Sequence, residues 1–316
     1  MEVNSFMEWR KSELKKIIFM LMVLIAGTVH GENITYKKNK KILTSIQAVY
    51  SIAKSLTKDT DIEVYSIFDS DVSMDYGKSA FDNKDLDLSS AKDAVAVVDV
   101  ARVWGNDYLY EYARRKNIRI VEIDASYSFS GNDYLSLSLL NYKNGDRNPY
   151  VWMSFQNVIK MANIVSDDLS ELFPEDGKKI EDNLEKFSQE IKKIENEYLE
   201  KTLALSSLSV ITLTENLDYL FNDLNIFFNY VDSNEITVEK ISEVMKRNNS
   251  KIFVSDRWIK KEIINEIEKK GGKFLVLDNF NIPRELNEKM DPDGYLKGMK
   301  ENMEKLVEAM KFMDKK

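Results

Sequence analysis

Short runs of apolar, often β-branched residues alternate along the chain with longer stretches whose apolar residues recur every three or four positions. The first pattern is typical of buried strands, and the second of helices that cover one face of a sheet. The first part of the chain has predicted strands at residues 42–46, 62–68, 94–100 and 118–124 and predicted helices at residues 47–56 and 105–116. This alternation predicts a parallel sheet covered by helices.

The last third of the chain repeats the alternation. Its predicted strands are residues 208–213, 226–231, 251–255 and 273–277, and its predicted helices are residues 238–247, 257–270 and 294–312. Gly271 and Gly272 follow the second of these helices, and glycine commonly ends a helix. The sequence therefore predicts a second parallel sheet with its own helices.

The most regular helical pattern lies between the two series. From Ile180 to Leu203 the apolar residues mostly recur at spacings of three and four, which places them along one side of a helix about 36 Å long. A coiled-coil seam is the alternative, although the stripe extends over only about three heptads. The predicted fold is α/β, with two lobes at residues 32–173 and 206–316 joined by a long rigid helix at residues 174–205.

The first 31 residues have the pattern of an export signal. A basic start is followed by an apolar run at residues 17–26, which is shorter than the ~20 residues of a membrane span. Val29 and Gly31 then precede an expected cleavage before Glu32. A retained anchor helix is the alternative. We expect residues 1–31 to be removed and the mature protein to be periplasmic, with no lipid anchor because the chain has no cysteine.

Composition argues against several classes of function. The net charge of −8 at pH 7 argues against nucleic acid or an anionic membrane as partner. The single histidine, His30, lies in the predicted signal, so the mature chain has neither histidine nor cysteine for a nucleophile and base pair. No glycine-rich phosphate-binding motif is present. We therefore do not expect an enzyme.

Two short strings carry a resemblance to a known family. Residues 148–152 read Asn-Pro-Tyr-Val-Trp, similar to the family's Asp-Pro-His-x-Trp, and residues 295–302 are similar to its last helix. With the order of the lobes and the long helix, residues 42–312 resemble the metal-binding solute-binding proteins of ABC transporters, the zinc and manganese receptors. The resemblance implies a monomeric receptor that captures a metal ion or small metal complex between the lobes and delivers it to an ABC permease in the inner membrane.

Members of this family generally hold the ion with three histidines and one carboxylate, two ligands from each lobe. At the matching places this chain has Asp71 and Asp75 in the loop after the second strand, Tyr150 in the string, Glu215 after the first strand of the second lobe, and Asp278 after the last strand. Only Asp278 keeps the family's ligand type. The resemblance therefore implies a site formed by Asp71 or Asp75 with Tyr150, Glu215 and Asp278.

These candidates supply oxygen ligands. Zinc sites are built mainly from imidazole and thiolate, so this set is poorly suited to tight zinc selection. Carboxylates suit Mn²⁺, Ca²⁺ or Mg²⁺, and a phenolate with carboxylates suits Fe³⁺ once the phenol has lost its proton. We expect no resident cofactor, and a divalent cation or Fe³⁺ as the transported ligand.

Each candidate also has a structural interpretation. Asp71 and Asp75 could be ordinary loop or helix-cap residues, positions that aspartate fills readily. Tyr150 could be a core residue whose hydroxyl is bonded to the backbone, and Glu215 could be a solvated residue or part of the first turn of a helix. Asp278 favours function, because open α/β sheets bind ligands beyond the carboxyl ends of their strands. Without an ion site, the alternative function is an interaction or adhesion module, or a cleft for an organic solute walled by tyrosine and tryptophan.

Overall fold

A computed structural model describes residues 39–68, 72–82, 88–129 and 133–314 of the 316-residue chain. The predicted signal at residues 1–31 and the candidate Asp71 lie outside the described residues. Residues Lys40–Lys316 form one compact unit that contains both predicted sheets. Among the described residues, no helix is long and apolar enough to cross a membrane.

The first sheet has four parallel strands, which are β1 (Lys41–Thr44), β2 (Glu63–Ser66), β3 (Ala96–Asp99) and β4 (Val121–Asp124). Their order across the sheet is β2-β1-β3-β4. All four predicted strands are present, and each is shorter than predicted. Strand β3 is buried along its whole length, which explains why its residues 96–98 are a continuous apolar run without alternation.

Three helices accompany this sheet: α1 (Gln47–Leu56), α2 (Lys78–Asp82) and α3 (Leu109–Arg114). Helix α1 begins and ends at the predicted residues. Helix α3 is shorter than its prediction, because the residues before it form a turn in which the Asp107 carboxylate accepts the N–H groups of Val100 and Leu109.

The 18-residue helix α4 (Phe155–Leu172) is absent from the predictions. Its signal is nevertheless in the sequence. The Ser154 side chain accepts the Asn157 N–H at the start of the helix. Val158, Met161 and Val165 then recur at helical spacing and are buried. Helix α4 leads directly into α5 (Gly177–Thr202), the predicted long helix, which packs along it.

The second sheet consists of β5 (Ser209–Thr212), β6 (Phe227–Tyr230), β7 (Ile252–Ser255) and β8 (Lys273–Val276), in the order β6-β5-β7-β8. This is the topology of the first sheet repeated. Its helices are α6 (Asp218–Asp223), α7 (Ile241–Asn248), α8 (Lys261–Lys269) and α9 (Gly294–Asp314). A two-stranded hairpin of β9 (Glu285–Leu286) and β10 (Lys289–Met290) precedes α9.

One apolar core extends through both sheets. Successive residues of β1 show how it forms: Ile42 points into this main core, whereas Leu43 points to a smaller cluster on the other face of the sheet. Tyr198 of α5 and Tyr295 of α9 belong to the same main core as Val210 of β5. The predicted two-lobe α/β fold is confirmed, and its lobes, each a sheet with its helices, share one interior.

Candidate metal site

The lobe boundary is the region where the segment before α4, residues 138–154, contacts the loops that follow β5 and β8. Several hydrogen bonds cross it, and two of them connect segments with candidate ligands. The Asn148 Nδ2 atom donates to the Glu215 carbonyl oxygen at 2.7 Å, and the Trp152 Nε1 atom donates to the Asn279 carbonyl oxygen at 3.0 Å. Segments that contain candidate residues from both lobes are therefore in direct contact.

Two tyrosine hydroxyls add to this contact. The Tyr219 hydroxyl donates to the Asn148 carbonyl oxygen at 3.1 Å and accepts the Leu140 N–H at 2.8 Å. The Tyr142 hydroxyl donates to Asn216 Oδ1 at 2.8 Å. These bonds join the first lobe to the loop after β5 at several points, which limits how freely that loop can move.

Tyr150 lies in the buried part of the lobe boundary. Its ring packs against Trp152 with 5.4 Å between centroids. Burial and then the nearby Tyr150, Asp256 and Glu215 raise the pKa of Tyr142 above its ordinary value. Tyr142 therefore stays protonated at neutral pH, as the hydrogen bond that it donates to Asn216 requires. The phenol of Tyr150 lies close enough to Tyr142 to contribute to this pKa.

The Glu215 carboxylate is half-buried and accepts the Lys143 backbone N–H at 3.2 and 3.4 Å through its two oxygens. Asp218, one turn further on at the start of α6, is a carboxyl group absent from the predicted set. Burial and then the charge of Glu215 raise the pKa of Asp218 to about 7. Within the described residues its Oδ1 atom has no hydrogen-bond partner. The three-residue spacing from Glu215 is the sequence signal that points to Asp218.

Asp278 lies two residues after the end of β8. Its Oδ1 atom accepts the Phe280 N–H at 2.8 Å, and its Oδ2 atom accepts from Arg284 Nη1 at 3.1 Å. The Asp278 backbone N–H donates to Asn302 Oδ1, and the Asp278 carbonyl oxygen accepts from Asn302 Nδ2, both at 2.8 Å. Phe280 has a left-handed φ of 62°, so the chain turns sharply after the strand. Both carboxylate oxygens of Asp278 are engaged by groups of the protein.

Asp256, which follows β7, is a buried carboxylate that the sequence predictions omit. Its Oδ2 atom accepts from Asn216 Nδ2 at 2.6 Å, from Asn279 Nδ2 at 2.9 Å and from the Thr214 hydroxyl at 3.2 Å. It therefore ties the loop after β5 to the loop after β8. Its position at the carboxyl end of a parallel strand is the signal that could have identified it.

The loop after β2 reaches the second lobe through its backbone. Met74 N–H donates to the Asn281 carbonyl oxygen at 2.9 Å, and Asp75 lies in the short 3₁₀ helix Met74–Tyr76 that begins there. In the described part of the chain, no three side chains of histidine, cysteine, aspartate or glutamate converge in a way that could hold a metal ion. The ligand set is therefore a prediction from the sequence, and its candidate Asp71 lies outside the described residues.

Known structures share this architecture. A mutant of FpvC from Pseudomonas aeruginosa is 17% identical, with a TM-score of 0.68 over 86% of this chain and 99% of that chain. FpvC in complex with Mn²⁺ gives a TM-score of 0.66 at 17% identity over 87% of this chain and 99% of that chain. The Zn(II)-bound ZnuA-like domain of AdcA from Streptococcus pneumoniae gives a TM-score of 0.65 at 17% identity, over 86% of this chain and 99% of that chain. At such identities the likeness shows the fold.

No curated protein has significant sequence similarity to the chain. The model of one family, described as zinc-uptake complex component A, periplasmic (ZnuA), matches residues 42–309. That range covers both sheets and nearly all of α9. The resemblance found in the sequence is thus confirmed, and the chain belongs to the ZnuA family of metal-binding, periplasmic receptors of ABC transporters, which are not enzymes.

Proposed function

We propose that this protein is the receptor of a metal-ion ABC transporter and that it binds its cation through oxygen ligands at the lobe boundary. Membership of the ZnuA family supports the receptor role. The observation that carries the site is the pair of hydrogen bonds from Asn148 to Glu215 and from Trp152 to Asn279. They support the proposal because they join the segments that contain Tyr150, Glu215 and Asp278.

The proposed ligands are Asp71 or Asp75, Tyr150, Glu215 and Asp278. Oxygen ligands of this kind suit Mn²⁺, Ca²⁺ or Mg²⁺ and lack the imidazole groups of tight zinc sites, and the similar protein FpvC is known in complex with Mn²⁺. Mn²⁺ is therefore the first ion to test. In the absence of an ion, the Glu215 carboxylate accepts the Lys143 N–H and both oxygens of Asp278 accept donors, so an ion must use their remaining lone pairs or displace these donors.

Isothermal titration of the mature protein, prepared without a histidine tag, tests the proposal with Mn²⁺, Zn²⁺, Ca²⁺, Mg²⁺ and Fe³⁺. We expect Mn²⁺ to bind, Zn²⁺ to bind more weakly than it does to a relative with three histidine ligands, and Glu215→Gln to weaken Mn²⁺ binding by roughly tenfold or more. Glu243→Gln, which changes an exposed carboxylate on α7 of the same lobe, is the control and should bind as wild type does. Tight zinc binding that Glu215→Gln leaves unchanged would contradict the oxygen-ligand site.

A second candidate is an interaction module that keeps the receptor fold without an ion. It is favoured by the engagement of the Glu215 and Asp278 carboxylates with donors of the protein itself. The same titrations separate the two functions. If none of the five cations binds and none raises the melting temperature, the module becomes the better explanation.

A further inference from the structure

Arg284 places a positive charge directly on the carboxylate of Asp278. Its Nη1 atom lies 3.1 Å from Asp278 Oδ2, and its Nη2 atom lies 2.7 Å from Glu301 Oε1. The side chains of Arg284 and Asp278 are each 25% exposed, whereas that of Glu301 is 49% exposed. The guanidinium therefore bridges a half-buried carboxylate of the candidate site and a more exposed one on α9.

Elements of both lobes hold Arg284 in this position. Its backbone N–H donates to Gln47 Oε1 of α1 at 2.8 Å, while its side chain rests on α9. Gly298 provides room there, because a Cβ atom at that position would lie 3.1 Å from Arg284 Nη1. The backbone anchor does not depend on the side chain, so the side chain can be changed while the loop stays attached.

The guanidinium and a metal ion compete for Asp278 Oδ2. An arginine side chain stays charged at every physiological pH, and a coordinated ion must approach a carboxylate oxygen to roughly 2.0–2.6 Å. The other oxygen, Oδ1, is already held by the Phe280 N–H. An ion on Oδ2 therefore has to displace Arg284, which keeps Glu301 as a partner, and an ion on the second lone pair of Oδ1 is repelled by the neighbouring guanidinium.

We propose that Arg284 is an internal competitor of the metal ion for Asp278, and that it sets the affinity of the receptor and helps to expel the ion. This inference rests on the proposed function, because Asp278 is a ligand only in that proposal. A receptor has to release its cargo, and a built-in cation that reoccupies the ligand lowers the affinity without altering the ligands.

The test is isothermal titration with Mn²⁺ alone. We expect Arg284→Gln to bind Mn²⁺ about three- to tenfold more tightly than wild type, because a partly exposed ion pair and a nearby positive charge are both removed. Arg284→Lys keeps the charge but loses the forked geometry of the guanidinium. Its affinity for Mn²⁺ should lie between those of wild type and Arg284→Gln. Arg247→Gln is the matched control, since it removes an arginine paired to an exposed carboxylate at 3.8 Å in the same lobe.

The aspartate variants show whether the effect passes through Asp278. In an Asp278→Asn background, adding Arg284→Gln should change the affinity no more than Arg247→Gln does. Equal affinities of Arg284→Gln and Arg247→Gln would overturn the inference while leaving the ion site intact. If Arg284→Gln does not bind Mn²⁺ and wild type binds none of the five cations in the titrations proposed above, the proposed function and this inference fall together. If Arg284→Gln does not fold, wild-type affinity in Arg284→Lys overturns the inference.

Discussion

At the scale of single residues, three buried aspartates lie close together at the carboxyl end of the first sheet, and burial raises the pKa of each. Asp99 ends β3, Asp124 ends β4, and Asp107 precedes α3. Asp107 accepts the Ser45 hydroxyl at 2.9 and 3.0 Å. Asp99 Oδ2 has no hydrogen-bond partner within the described residues.

The environment of these aspartates favours their protonated forms. Burial, and then the charges of Asp107 and Asp124, raise the pKa of Asp99 well above its ordinary value. Burial raises the pKa of Asp107 to about 6 against the opposing effect of its hydrogen bonds. Burial also raises the pKa of Asp124, although the hydrogen bonds from Ser126 oppose it. The folded protein therefore retains protons here that the unfolded chain would lose.

Stability should consequently fall as the pH rises across this range. An aspartate whose pKa is raised in the folded state makes its full contribution to stability only below its pKa in the unfolded chain, about 4. That contribution is lost as the pH rises through the folded-state pKa, which is about 6 for Asp107. Asp99→Asn, which needs no proton, should flatten this decline and stabilise the protein by about 1–2 kcal/mol at neutral pH. Urea unfolding from pH 4 to pH 8 measures it.

Asp293→Asn is the control for this experiment, because Asp293 is exposed. It should follow the wild-type pH dependence. An Asp99→Asn variant that loses stability with pH as steeply as wild type would show that Asp99 is not a source of the effect.

At the scale of elements, helix α9 packs unusually close to the loop after β8. A Cβ atom on Gly298 would lie 2.4 Å from Phe280 Cε1, and Phe280 is fully buried. Gly298→Ala should therefore lower the free energy of unfolding by about 1–3 kcal/mol despite the better helix propensity of alanine. Gly105→Ala, where no atom lies within 4 Å of the added Cβ, should change it by less than about 0.5 kcal/mol. Equal urea midpoints for the two variants would contradict this packing.

A lysine just before β1 holds the start of that strand to the start of α5. Lys40 Nζ lies 2.6 Å from Asp61, 3.1 Å from Glu175 and 2.5 Å from Asp176, and its side chain is only 10% exposed. Lys40→Met should lower stability by about 1–3 kcal/mol, since it leaves the carboxylates without their common partner.

Lys179→Met is the comparison for this variant. Lys179 pairs with Asp59 at 3.4 Å, and its side chain is 37% exposed. Surface pairs of this kind contribute about 0–1 kcal/mol. In thermal unfolding, the melting temperature of Lys40→Met should lie clearly below that of Lys179→Met. The reverse order of melting temperatures would rule out the proposed role of Lys40.

At the scale of the whole molecule, a single tryptophan links the two lobes through their shared core. Trp152 is fully buried and donates its Nε1 hydrogen to the Asn279 carbonyl oxygen across the lobe boundary. Trp152→Phe should lower stability by about 1–3 kcal/mol more than Trp104→Phe, because a buried carbonyl loses its donor in addition to the lost ring volume. Trp104 is also buried in the main core. Urea unfolding that weakens both variants equally would show that the hydrogen bond contributes little.

The local sequence pattern by itself determined the two sheets, their helices and the long helix, because these elements depend on the spacing of apolar residues along the chain. Helix α1 illustrates this, since its predicted ends coincide with those in the structure. Helix α4 had a clear Ser154 cap and was still overlooked. The family, too, could be recognised from residues 148–152 and 295–302 together with the order of elements.

Only the tertiary structure decided what surrounds each candidate ligand. Arg284 contacts Asp278 across a tight turn and Glu301 on a separate helix, and Lys143 contacts Glu215 from the other lobe. These contacts depend on how turns and separate elements pack, and no regular local spacing encodes them. The shared burial of Asp99, Asp107 and Asp124 has the same origin, because a strand-end carboxylate becomes costly only when the fold removes its water.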